Sequence, residues 1–248
     1  MRFYFLDQTI TVNVPDQPSL LDEVRARFRS GQGFSLATLN LDHLAKLRVS
    51  PSYRAVYAAQ DLIVADGNPI VWLSRLAHRP VALVPGSDLL APLLHLAAAE
   101  GMPVAFFGST PAVLARAAAR LQAEIPGLNI VWTGAPAMGF DPTGPEATAA
   151  LQAMRGAGAR LCILSLSAPR QEAFAAHGRT HAPAIGFCGF GAGLDFVAGR
   201  QQRAPIWVRK LALEWLWRAL SDPRRMIPRY AACMAILPGQ VIAALRQR

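Results

Sequence analysis

Short apolar runs recur along the chain, each closed by a glycine or small polar residue and followed by a stretch of helical spacing. The runs are Phe34–Asn40, Leu62–Ala65, Val81–Val84, Pro103–Gly108, Asn129–Thr133, Arg160–Leu166 and Pro183–Cys188. Between them the pattern predicts helices over 42–59, 69–77, to Glu100 with Ser87 or Asp88 as cap, 111–124, to Arg155, and from Ser167. Runs too uniformly apolar to be half-exposed strands, alternating with helices, specify a mostly parallel sheet covered on both faces. The expected fold is therefore α/β, Rossmann-like and three-layered. It is led by a short hairpin over 1–16 and a helix over Ser19–Arg29.

From Arg200 the character changes. Residues 1–198 carry a net charge of +1 and residues 199–248 carry +8, out of +9 for all 248 residues. This divides the chain into a core over 1–198 and a basic, aromatic-rich helical appendage over 199–248. A 52% hydrophobic content raises the question of a membrane span. The best stretch, Ala231–Leu245, falls short of the roughly 20 apolar residues required and contains Pro238 and Gln240. No signal-peptide pattern opens the sequence, and Cys162, Cys188 and Cys233 form no Cys-x-x-Cys pair. A cytosolic protein with buried thiols is expected. The tail's arginines alternate with Trp, Leu and Ile, and lysine is scarce. That composition suits an anionic membrane surface better than the runner-up partner, nucleic acid, which a nucleotide-binding core with a basic tail would take.

In open α/β sheets, ligands bind outside the carboxyl ends of strands. Asp66-Gly67 closes one such strand, ahead of a helix start at Asn68-Pro69, and Thr38 and Asn40 close another, with Asp42 as the expected cap of the next helix. A carboxylate at a strand end can take a proton from a hydroxyl. Gly108 with Ser109-Thr110-Pro111 forms a helix start suited to phosphate. Gly189–Gly193 permits close backbone approach, but its spacing is not the dinucleotide fingerprint, so NAD is excluded. His177 and His181 lack a third ligand, and no Asp-x-Asp occurs. No metal site or cofactor is expected.

Taken in order, the blocks Thr38-Leu-Asn40, Ala65-Asp-Gly67, Gly86-Ser-Asp-Leu89, Phe107-Gly108 with Pro111, Pro126-Gly127, Ala168-Pro-Arg-Gln-Glu172, Asp195-Phe196 with Ala198-Gly199, Arg203-Ala-Pro205, Glu214-Trp-Leu-Trp-Arg218 and Pro223-Arg-Arg225 resemble the WecG/TagA/CpsF family of bacterial glycosyltransferases. The resemblance runs from about Phe34 to Tyr230. It implies inverting, metal-independent transfer from a UDP-sugar to a polyprenyl-diphosphate-linked acceptor by a peripheral protein on the cytoplasmic membrane face, in polysaccharide assembly. Asp66 would be the base, with Thr38 and Arg218 beside it. Asn40, Gly67, Gly108, Gln171, Asp195, Arg203, Arg224 and Arg225 would bind substrate. Homo-oligomer formation and the identity of the sugar are left open.

Overall fold

The computed structural model describes residues 1–201, 204, 205, 208, 211 and 213–248, and of Arg218 the backbone alone. A small antiparallel hairpin, β1 (Arg2–Tyr4) and β2 (Thr9–Thr11), precedes a six-stranded parallel sheet. Its strands are β3 (Phe34–Leu39), β4 (Leu62–Ala65), β5 (Val104–Gly108), β6 (Ile130–Gly134), β7 (Leu161–Ser165) and β8 (Gly186–Gly189), in the order β4-β3-β8-β7-β5-β6. The helices are α1 (Gln17–Ser30), α2 (Leu41–Val49), α3 (Pro51–Ala58), α4 (Asn68–Leu76), α5 (Gly86–Ala99), α6 (Pro111–Glu124), α7 (Pro145–Gly156), α8 (Arg170–His181), α9 (Gly193–Val197), α10 (Glu214–Ser221) and α11 (Pro223–Leu245).

Alternate strand residues face opposite layers, as the pleat requires. Phe34, Leu36, Leu62, Val64, Phe106 and Ile163 pack with α1, α5, α6 and α9. Ala37, Leu39, Ile63 and Ala65 pack with α2, α3, α4 and the inner side of α11. Phe107, Cys162, Leu164 and Phe187 pack with α7 and α8. All three cysteines are free and buried.

Three expectations need correction. Val81–Val84 is extended but joins no ladder. Its amides go one each to Ser74 Oγ (3.1 Å), Pro15 O (2.7 Å) and Ala65 O (2.8 Å), and Pro80 and Pro85 at its ends donate nothing. The helix expected over 42–59 is two helices. Ser50 lies before Pro51, where the helical region is disfavoured, and takes an extended backbone; its hydroxyl accepts the Tyr53 amide at 3.2 Å. The cap of α2 is Asn40, which accepts the His43 amide at 3.1 Å, and Asp42 sits in the first turn instead.

The tail also differs from the sequence reading. Helix α11 has 23 residues and an apolar window long enough by length and composition to cross a membrane, with 17% of that window buried. Counting from Ala231 missed this because α11 continues through Pro228 and Pro238 and begins at Pro223. Met226, Cys233, Ile236 and Ala244 of α11 are buried, and the last two join the core formed with α2 and α4. Arg229 meets Asp42 at 2.8 Å, while Arg248 Nε donates to Leu76 O at 3.0 Å. These contacts set α11 alongside α2 and α4, with its first turn at the carboxyl end of the sheet.

Candidate active site

Across five neighbouring strands, β4-β3-β8-β7-β5, the carboxyl ends present polar groups in one row. Adjacent strands lie about 4.8 Å apart, so four intervals make the row roughly 19 Å long. Asp66 stands at one end. Its backbone N–H donates to Leu39 O at 2.7 Å, which registers β4 against β3, and Asn40 Nδ2 approaches its Oδ2 at 3.4 Å. Gly67 follows at φ 122°, a backbone state that side-chain-bearing residues rarely take. Thr38 is buried beside Phe190 and Gly86: a Cβ on Gly86 would sit 3.1 Å from the Phe190 ring and 3.3 Å from Thr38 Cγ2.

Gln171 occupies the middle of the row. It is 4% exposed, its Oε1 accepts the Gly191 amide at 3.0 Å, and its Nε2 donates to Glu172 Oε1 at 2.8 Å. Gly189 leaves the room, since a Cβ there would lie 2.9 Å from Gln171 Cδ. At the far end Asp195 accepts from Ser109 Oγ at 3.1 Å, lies 3.4 Å from Ser165 Oγ, and pairs with Arg200 at 3.4 Å. Gly108 serves the backbone here. At φ 115°, with Ser165 O 2.3 Å from where its Cβ would be, no larger residue fits.

The helices differ at their starts, and those that open onto this row are of both kinds. Helices α1, α2, α3 and α6 carry side-chain caps from Asp16, Asn40, Ser50 and Thr110, whereas α4, α5 and α8 begin at Gly67, Pro85 and Pro169 with no side-chain cap bond. The expected caps Ser87 and Asp88 lie inside α5 instead. Uncapped N-termini offer amide donors and the positive end of the helix dipole to an anion.

The structure brings together Thr38, Asn40, Asp66, Gly67, Gly108, Gln171 and Asp195 from the sequence list. Arg224 and Arg225 lie in the first turn of α11, at the same end of the molecule, exposed, with Arg225 3.3 Å from Asp222. Arg203 and Trp207 fall outside the described residues, as does the Arg218 side chain. Among the described residues no group of three His, Cys, Asp or Glu side chains could hold a metal. Sequence reasoning placed Ser109 at a helix start suited to phosphate but missed Ser165 and Arg200, and the convergence of all three on Asp195 depends on strand order. It also missed a buried cluster behind Asn40: His43, Tyr53, Tyr57 and Glu172.

His43 carries a testable consequence. Burial pushes its imidazole down to about 4, against the opposing pull of neighbouring Asp42, with Lys46 and Arg229 adding to the depression. A depressed histidine is neutral in the fold and binds a proton more readily unfolded. Its contribution is present above about pH 6.5 and lost as pH falls toward 4. A shift of that size is worth on the order of 3 kcal/mol. His43→Gln is expected to flatten the decline in urea midpoint between pH 6.5 and 4; an unchanged slope would remove His43 as its source.

Residues 6–248 match the family described as Glycosyl transferase WecG/TagA/CpsF family, nearly the whole chain, and the protein belongs to it. It is a glycosyltransferase, with a sugar donor and an acceptor as substrates.

Proposed function

We propose that this member of the WecG/TagA/CpsF glycosyltransferase family moves a sugar from a UDP-sugar to a polyprenyl-diphosphate-linked saccharide acceptor, with inversion and without a metal, while seated on the cytoplasmic face of a bacterial plasma membrane. The observation that carries the reading is the row from Asp66 to Asp195 and Ser109. It has a carboxylate at one end, uncapped helix starts along it, and a Ser-Asp-Ser cluster able to hold hydroxyls at the other. A nucleoside diphosphate sugar laid across the strand ends matches its length and polarity.

In the proposed step Asp66 takes the proton of the acceptor hydroxyl. The oxygen then forms its bond to the anomeric carbon as the bond from that carbon to the phosphate oxygen breaks on the opposite face. A single displacement inverts the centre. Asn40 orients the carboxylate, and the leaving diphosphate is met by helix amides and by Arg224 or Arg225 from the tail.

Membrane seating is supported by the tail's outer surface. Ile227, Met234, Ile242 and Leu245 are exposed along one side of α11, Trp215, Leu216 and Leu220 of α10 are exposed beside them, and Trp215 packs edge-on against Tyr230 at 6.0 Å. An amphipathic segment of this kind, bordered by arginines, suits a lipid interface.

The test is a thermal-shift comparison of UDP, UMP and UDP-sugars with ADP, run with and without EDTA. UDP at 100 times its Kd stabilises by about 2.7 kcal/mol, or roughly 5–10 °C for a chain of this size. A shift that EDTA leaves intact supports the reading. No shift with any uridine ligand, together with one on adding duplex DNA, would favour the nucleic-acid alternative.

A further inference from the structure

We propose that Glu172 is a positioning residue of this row of polar groups: with the Gly191 amide it locks the side-chain amide of Gln171 in one orientation, leaving a single Gln171 N–H for a ligand. This rests on the glycosyltransferase reading only for what the ligand is.

Gln171 Oε1 is held by the Gly191 N–H at 3.0 Å and one Nε2 hydrogen by Glu172 Oε1 at 2.8 Å. The second Nε2 hydrogen has no acceptor among the described residues. Flipping the amide would set N–H against N–H at Gly191, so the arrangement has one low-energy state. Gly191 is itself fixed, since its carbonyl accepts Ser165 Oγ at 2.6 Å and Ser165 also lies 3.4 Å from Asp195. Glu172 therefore supports, through Gln171, the loop on which both halves of the row depend.

Nothing else explains a glutamate at this depth. It is 2% exposed, no ion pair reaches it among the described residues, and its Oε2 makes no hydrogen bond. The groups facing it are the Tyr53 and Tyr57 hydroxyls from α3, which are also unbonded, and Lys46 from α2 at longer range. Asp42 and His43 of α2 lie beyond Tyr53, and Asp66 beyond Tyr57. An isolated buried carboxylate is expensive and a neutral acid much less so. Accordingly, burial pushes the Glu172 carboxyl up from its ordinary range, against the Gln171 amide, which favours its ionised form. Glutamine reproduces the neutral acid's acceptor and shape, while alanine removes the support.

The experiment compares Glu172→Gln, Glu172→Ala, Gln171→Ala and the Glu172→Ala/Gln171→Ala double variant of the full chain. The first readout needs no substrate. In ¹⁵N-edited spectra the Gln171 side-chain pair, assigned by its loss in Gln171→Ala, should be well dispersed in wild type and in Glu172→Gln, and averaged in Glu172→Ala. The second is UDP affinity by calorimetry. Glu172→Ala and Gln171→Ala should each weaken it by about tenfold, the double variant by no more than either, and Glu172→Gln by less than threefold. An amide pair unaffected in Glu172→Ala, or additive losses in the double variant, would overturn the proposal. If wild type bound no UDP, the uridine reading would fail, and the spectra would still decide the role of Glu172.

Discussion

Asp66→Asn is expected to keep the fold and UDP binding while slowing sugar transfer by roughly 10²–10⁴-fold, the usual contribution of a positioned general base. The exchange is nearly isosteric. The backbone N–H of residue 66 still reaches Leu39 O at 2.7 Å, and Gly67 keeps its turn at φ 122°, so the register of β3 and β4 has no reason to move. What changes is the acceptor of the proton, since a carboxamide does not take one at neutral pH. Two readouts separate chemistry from binding. Turnover with saturating donor and acceptor should fall by the full factor, while the UDP thermal shift stays within about 1 °C of wild type. Turnover at the wild-type rate would take Asp66 out of the mechanism, and loss of the UDP shift would make it a binding residue.

How far the sequence sufficed depends on whether a feature is local or assembled. Asp66 and Asn40 were legible because each closes an apolar run, and strand ends are where an α/β sheet keeps its ligands. The parallel three-layer fold was legible for the same reason. Asp195 was visible only through the family motif, because its partners Ser109 and Ser165 are 86 and 30 residues away. Only the order β8-β7-β5 makes them neighbours, and no period in the sequence encodes that order. Glu172 gave a misleading signal: a charged residue in the first turn of a helix is ordinarily solvated, yet α8 turns this one inward against Tyr53 and Tyr57. Errors in element boundaries arose where proline acts on backbone conformation rather than on hydrophobic pattern. Ser50-Pro51 split one expected helix, and Pro80 and Pro85 prevented a strand, while Pro228 and Pro238 were tolerated within α11, whose exposed side leaves the freed carbonyls room for other partners.

Replacing Ile227, Met234 and Ile242 together by glutamate is expected to release the protein from anionic vesicles by at least about 100-fold without lowering its melting temperature. These three residues are 60%, 62% and 53% exposed, so the fold does not depend on their burial. They are turned about a third of a turn from the docked stripe of Met226, Cys233, Ile236 and Ala244, taking 100° per residue. Half-burying each in lipid contributes about 1 kcal/mol, and about 3 kcal/mol in all is the stated factor. The arginines act differently. Arg224→Ala with Arg225→Ala should weaken binding by roughly 30-fold at low salt, at about 1 kcal/mol each, and by less as salt shortens the screening length below about 8 Å. The same pair should slow transfer even on detergent-solubilised acceptor, because a leaving diphosphate would lose charge-assisted partners. A third outcome concerns α11 itself, whose 23 residues rise about 34 Å, enough to cross the roughly 30 Å hydrocarbon core. Crossing would strip Ile236 and Ala244 from the core they share with α2 and α4 and break the Arg229–Asp42 pair, so α11 is expected to lie along the surface. An alkaline carbonate wash should then free the protein from membranes; retention after that wash, with the glutamate variant still bound, would mean that the helix leaves the core and inserts.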